Sequence, residues 1–137
     1  MKTALDSNIL SCLWSNEAAA ERVENELNQA RANGAIVVAA PVYAELLAHP
    51  LASPGFVDKF LADTGITVEF DLSEPVWRRA AQGFAAYAKR RRHSGRTSPK
   101  RLLSDFIIAA HALLRADRLF TLDSQRYEQD FPDLRLL

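Results

Sequence analysis

The run Ile36-Val37-Val38-Ala39 is the feature that most limits what this chain can fold into. A continuous apolar, β-branched stretch of this length fits a strand covered on both faces, and such strands belong to parallel sheets. Parallel strands cannot be joined by a tight hairpin, so helices must alternate with them. The rest of the sequence supplies that alternation. Ala4-Leu5 reads as a short strand closed by Asp6, with Ser7-Asn8 turning into an apolar helical stretch. Residues 17 to about 32 follow helical spacing, with Ala20, Val23, Leu27 and Ala30 on one face, until Asn33-Gly34 stops them. Pro41, favoured at a first helical position, opens a helix through Glu45.

A short helix near residues 54 to 63 and the strand Ile66 to Phe70 come next. Ser73 begins a long helix whose expected apolar stripe is Trp77, Ala80, Ala81, Phe84 and Ala88. A helix from about Ser104 to Arg115, the strand Leu119 to Leu122, a short helix near Ser124 to Gln129 and a last apolar stretch Leu134 to Leu137 complete the chain. The order predicts an α/β fold, a three-layer sandwich around a mostly parallel sheet of four to five strands. Without an internal repeat, a linker or a low-complexity tract, residues 1–137 read as one domain.

A chain of 137 residues, 48% of them hydrophobic, can bury a real core without a metal or disulfide staple. Any metal is therefore expected to be catalytic rather than structural. Cys12 is the only cysteine, which excludes an intramolecular disulfide and a thiolate zinc cage and fits a reducing compartment. No signal-peptide h-region or membrane-length apolar run is visible, so the expectation is a soluble, cytoplasmic protein with no membrane partner. The formal net charge is zero, yet Lys89, Arg90, Arg91, Arg92, Arg96, Lys100 and Arg101 follow one another with no acid among them. Those cations would grip the phosphates of a nucleic acid, dock an acidic stretch of a partner protein, or merely solubilise a helix end. The turn-rich segment Ser94 to Pro99 reads as a loop.

Four acids carry the chemical argument. Taken singly, Asp6 and Asp123 suit helix N-caps, Asp105 suits a first helical turn and Glu45 a solvated helix face. Placement alters that reading, because ligands of open parallel sheets bind beyond the carboxyl ends of the strands. Asp6 ends the first strand, Asp123 ends the last, and Glu45 lies just into the helix after the second. Asp105 belongs to the helix that feeds the last strand, and its start is expected across from that strand's beginning unless the helix is tilted or the third strand brings it round. Carboxylates brought together repel one another unless a cation neutralises them. An all-oxygen set suits Mg²⁺ or Mn²⁺, whereas His49, His93 and His111 lack zinc-site spacing and read as structural or surface residues. Thr121 shares a strand face with Asp123 and is placed to orient its carboxylate or a phosphate; Ser7 and Asn8 stand similarly beside Asp6, with turn formation or capping as the other reading. The aromatic residues Trp14, Trp77, Phe84 and Tyr87 are assigned to core packing or a dimer interface rather than base stacking.

Asp6-Ser7-Asn8-Ile9-Leu10, Tyr43-Ala44-Glu45-Leu46, Asp105-Phe106-Ile107-Ile108-Ala109-Ala110-His111-Ala112 and Leu119-Phe120-Thr121-Leu122-Asp123 together resemble the four motifs of PIN-domain ribonucleases, among them the VapC-type toxins of toxin-antitoxin pairs. The resemblance runs nearly end to end. It implies that Asp6, Glu45, Asp105 and Asp123 form an acidic pocket, with Asp6 and Asp105 as principal metal ligands and Asp123 and Glu45 holding waters or a weaker second ion. It implies an Mg²⁺- or Mn²⁺-dependent endoribonuclease that hydrolyses RNA phosphodiesters by metal-activated water. It implies too a VapB-type antitoxin as partner and a homodimer. Some relatives carry a further acid shortly before the third motif, where this chain has Arg101, which weakens the case for a second tightly held ion.

Two other classes compete. A non-catalytic interaction module would keep the fold without the chemistry, but all four acids are present. An aspartate-based phosphotransfer domain also sets an acid at the first strand's end. The dehalogenase-like version wants another aspartate where Asn8 stands, and response regulators want paired early acids and a late lysine. No glycine-rich phosphate loop is visible.

Overall fold

The computed structural model describes residues 1–95 and 100–137. Its centre is the buried run expected to be a strand: Ile36–Ala39 forms β2, every residue of it buried. On one side β2 pairs with β1, Thr3–Leu5, and on the other with β3, Ile66–Glu69; β4, Arg118–Phe120, lies on the far side of β1. The order is thus β3-β2-β1-β4 and all pairs are parallel. Helices connect them: α1 Ser7–Trp14 and α2 Ala20–Ala32 after β1, α3 Ala40–Leu46 and α4 Pro54–Thr64 after β2, α5 Glu74–His93 and α6 Leu103–Arg115 after β3, and the short α7 Gln125–Glu128 after β4. Beyond α7 the chain returns beside β4, with Leu136 bridging Leu119.

The path of the chain fixes where ligands can bind. From β1 it moves to β2 and β3 in one direction, then jumps back past both to β4. The crossovers of such a sheet are right-handed, so the reversal opens a crevice outside the carboxyl ends of β1 and β4. Asp6 leaves β1 there and its N–H donates to the carbonyl of Phe120, the last residue of β4. The core beneath is aliphatic and close-fitted, with Ile9, Leu10, Leu46, Ile108, Leu119 and Phe120 all at most 1% exposed.

Three expectations need correction. The start of α6 does not lie across from the beginning of β4. A crossover helix runs antiparallel to the strands, so it is the helix end, at Arg115, that meets the start of β4, while Asp105 lies back at the carboxyl edge. The stripe of α5 is also rotated: Val76, Ala80, Gly83 and Tyr87 are buried, whereas Trp77 is 49% exposed and Ala81 is exposed. Gly83 explains the rotation, because a Cβ there would sit 3.2 Å from the Phe106 ring and 3.3 Å from Phe131. Its bare backbone lets α5 and α6 approach closely, which outweighs the helix propensity it forfeits. Finally, α2 starts at Ala20 rather than Glu17, Phe70 lies beyond β3, and β4 ends at Phe120.

Candidate active site

Asp6 is the N-cap of α1, its Oδ1 accepting from the Ser7 N–H at 2.8 Å, as its position at a strand-to-helix turn suggests. A cap does not require burial, yet Asp6 is only 2% exposed. Its second oxygen accepts two hydroxyl hydrogen bonds, from Thr121 at 2.9 Å and Tyr127 at 2.6 Å. Both donors come from the β4–α7 side of the crevice, so the carboxylate is held from across the switch point. Thr121 in turn accepts from the Asp123 N–H at 3.1 Å and from Asn8 Nδ2 at 3.3 Å, while Asn8 Oδ1 accepts from the Leu122 N–H at 3.2 Å. Asn8 is thereby a staple between α1 and the strand end. Thr121 orients the carboxylate of Asp6, not that of Asp123.

Asp105 occupies the first turn of α6, is 7% exposed, and accepts from the Leu102 N–H at 3.1 Å. Its other oxygen accepts from Nη1 of Arg126 at 3.3 Å, and Nη2 of the same guanidinium lies 3.1 Å from Asp123. Arg126 thus ties the third acid to the fourth. Burial alone would lower the pKa of this arginine, but Asp105, Asp123 and Asp6 around it raise it above the ordinary value. Glu45, near the end of α3, completes the group: Ser104 donates to its Oε2 at 3.4 Å, while Oε1 is buried with no hydrogen-bond partner among the described residues. Burial first, then the neighbouring charges of Asp6 and Asp105, push its carboxyl pKa up, with the hydroxyls of Ser7 and Ser104 opposing. The Tyr127 hydroxyl is pushed far up by burial and by Asp6, so it remains a proton donor to that carboxylate.

Two nearly buried aspartates and a half-buried glutamate in mutual repulsion are costly to a fold unless something positive joins them. Arg126 reaches Asp105 and Asp123 only. The donor set left over is all oxygen and suits a hard divalent cation, and the orphaned Oε1 of Glu45 is an acceptor with nothing to accept. Among the described residues no three acidic, histidine or cysteine side chains are drawn together as tightly as a bound ion would draw them. Two of the histidines are committed elsewhere. His111 is buried and bonded to Glu69 at 2.7 Å, where burial keeps its pKa below the ordinary value, and His49 bonds Ser15 and the Leu51 N–H.

The basic run divides. Arg90 is committed to Asp130 at 2.7 Å, and Arg96 lies outside the described residues. Arg91, Arg92, Lys100 and Arg101 instead line an open groove of about 430 Å³ floored by Phe84 and Tyr87. Phe84 and Tyr87 pack with Phe106, and Trp14 meets His49, Phe56 and Phe60 edge to face, so these aromatics serve packing as expected; Trp77 does not. Tyr87 and Arg101 also line a smaller cleft that Arg126 borders, so the basic groove leads to the rim of the acidic group. Arg126 and Tyr127 escape notice in the sequence. The signal that could have found them is their spacing, three and four residues after Asp123, one turn along a helix.

A search of curated proteins finds no sequence match. Among solved structures, the chain is similar to VapBC-1 from nontypeable Haemophilus influenzae, with 21% identity, a TM-score of 0.66, and 100% of this chain and 97% of that one covered. It is equally similar to VapBC2 from Rickettsia felis, solved bound to a DNA fragment from their promoter, with 22% identity, a TM-score of 0.66, and 100% and 98% coverage. At these identities the likeness establishes the fold. The sequence match is more specific, since the PIN domain family model aligns with residues 3–132, all four strands and all four acids, and the chain belongs to the PIN domain family.

Proposed function

We propose that this chain is an Mg²⁺- or Mn²⁺-dependent endoribonuclease acting as the toxin of a toxin-antitoxin pair. The observation that carries the reading is the burial of Asp6 and Asp105, at 2% and 7% exposure, beside a Glu45 whose Oε1 has no partner, at the switch point of a PIN fold. Asp6 and Asp105 are the principal ligands of the cation, with Glu45 and Asp123 in supporting positions. When bound, that ion would acidify an attacking water and offset the negative charge that builds on the phosphorus. The chain's own part is orientation: Thr121 and Tyr127 fix the Asp6 carboxylate, Asn8 fixes Thr121, and Ser104 steadies Glu45. A VapB-type antitoxin and a homodimer are the proposed assembly, supported by the likeness to VapBC structures.

The direct test incubates the purified chain, freed of any partner, with RNA in Mn²⁺ and in EDTA and sequences the ends produced. Cleavage confined to the metal-containing sample is the expected result. Metal binding without cleavage would instead favour a non-catalytic module.

Tyr127→Phe removes one of the two hydroxyl donors on Asp6, and loss of such an outer-shell hydrogen bond typically costs about 10- to 100-fold in metal affinity. Calorimetric titration with Mn²⁺ reads this; an unchanged affinity would mean that Thr121 alone suffices to hold the carboxylate.

RNA, rather than an acidic peptide, is the proposed occupant of the basic groove, because the groove leads to the cleft beside the acids. Three phosphate contacts on a single strand, from Arg92, Lys100 and Arg101, give a log-log salt slope near −2.1, or about a 20-fold loss of affinity between 50 and 200 mM salt. Fluorescence anisotropy with a labelled RNA and the Asp6→Asn protein measures it. A flat response would remove the groove from RNA binding.

A further inference from the structure

We infer that Arg126 is a tethered cation standing in for a second divalent ion between Asp105 and Asp123, which limits this pocket to one bound metal. The inference rests on the metal-site reading above. Its basis is the fork of the guanidinium: Nη1 lies 3.3 Å from Asp105 Oδ1 and Nη2 lies 3.1 Å from Asp123 Oδ2. These two acids come from different elements, the start of α6 and the loop after β4. A planar, permanently charged fork is the protein group best suited to bridge two carboxylates.

Bridging two acids separates it from the other arginine pairs, since even the half-buried Arg90 meets a single carboxylate, that of Asp130. Arg22–Glu26 and Arg78–Glu74 join residues four apart on one helix, whereas Arg126 is 34% exposed at its side chain and reaches an aspartate whose side chain is 9% exposed, 21 positions back. A surface pair of the first kind contributes little. Arg126 instead supplies positive charge where an ion bridging Asp105 and Asp123 would sit. What the fork does not touch is the Oε1 of Glu45 and the carboxylate of Asp6, whose hydrogen-bond partners among the described residues are hydroxyls and one backbone N–H. The fork therefore provides a counter-charge to Asp123 and to one oxygen of Asp105, and leaves Asp6, Glu45 and the second oxygen of Asp105 to a single cation. Arg101 lines the same cleft as Arg126 and adds no negative charge that a second ion could use.

The experiment compares wild type, R126Q and R126K by Mn²⁺ titration calorimetry and by thermal unfolding in EDTA and in Mn²⁺. Wild type and R126K are expected to bind one ion per chain, since both keep a positive charge at the position. R126Q is expected to bind two. In EDTA its unfolding midpoint should fall below that of wild type, because Asp105 and Asp123 lose their counter-charge, and Mn²⁺ should raise it by more than it raises wild type. Two ions per chain in wild type would overturn the inference, as would a folded R126Q that binds one ion with unchanged affinity. If R126Q folds only when Mn²⁺ is present, the ion has replaced the arginine and the inference stands; if it stays unfolded in Mn²⁺, the arginine is structural and the inference fails. Should neither wild type nor R126Q bind any ion, the metal-site reading itself is wrong. One ion in each leaves that reading intact and removes only the role of Arg126.

Discussion

Asp6→Asn is expected to reduce metal-dependent RNA cleavage about a thousand-fold or more, the rate equivalent of roughly 4 kcal/mol of lost metal and charge stabilisation. The same substitution should leave the fold standing. An asparagine can still accept the Ser7 N–H and the Tyr127 hydroxyl can rotate to accept from its amide; Thr121, which already accepts from Asn8 and the Asp123 N–H, loses its acceptor, a cost of about 1 to 3 kcal/mol that relief of the carboxylate repulsion offsets in part. A second readout comes from Glu45, whose pKa is raised by burial and by the charges of Asp6 and Asp105. A carboxyl with a folded pKa above its unfolded value takes up its proton first in the native state, so its contribution to stability falls as pH rises from about 4.3 through the raised value. Asp6→Asn removes one source of that rise. The difference in stability between variant and metal-free wild type should therefore favour the variant more above this window than below it. Single-turnover cleavage in Mn²⁺, with unfolding curves at several pH values, reads both effects. Retained metal-dependent cleavage by the variant would sink the assignment of Asp6.

The pH effect and the chemistry share one origin, the crowding of carboxylates at the switch point, and that crowding was legible in part. Asp6 could be placed because strand, cap and helix signals coincide within five residues, and the cap is observed. Glu45 follows from the buried run of β2 and the proline that starts α3. Asp105 was misplaced by the chain's local connections, although the antiparallel run of a crossover helix puts its start at the functional edge. The resemblance to PIN-domain motifs located it where this physical reading did not. Side-chain partners were harder to see than positions. The stripe of α5 contains alanine and glycine on adjoining faces, and only the ring of Phe106 pressing on Gly83 decides which face is inward. Arg126 and Tyr127 lie in a helix of four residues with no apolar period, too short for any pattern to declare a buried side. Tyr127 is nonetheless 1% exposed, because its ring fills the core while its hydroxyl reaches Asp6.

Phe120→Ala should have the largest effect on stability among single truncations near the site, about 3 to 5 kcal/mol by the usual cost of deleting a buried aromatic ring. Phe120 is 0% exposed at the end of β4, in register with Leu5, and its carbonyl accepts the Asp6 N–H. Domains of this kind have only about 5 to 15 kcal/mol in hand, so much of the folded population would be lost near the growth temperature. Urea titration measures the drop as a lower midpoint with an unchanged slope. A loss under about 1 kcal/mol would contradict the packing described for β4. The two substitutions act on neighbouring residues in space with opposite consequences: the ring deletion removes stability from a strand that only carries the site, whereas the carboxylate change removes chemistry from a position the fold holds at a cost. That opposition is what a functional cluster predicts and a structural one does not, since a structural Asp6 would lose stability on conversion to asparagine and leave no metal-dependent activity to lose.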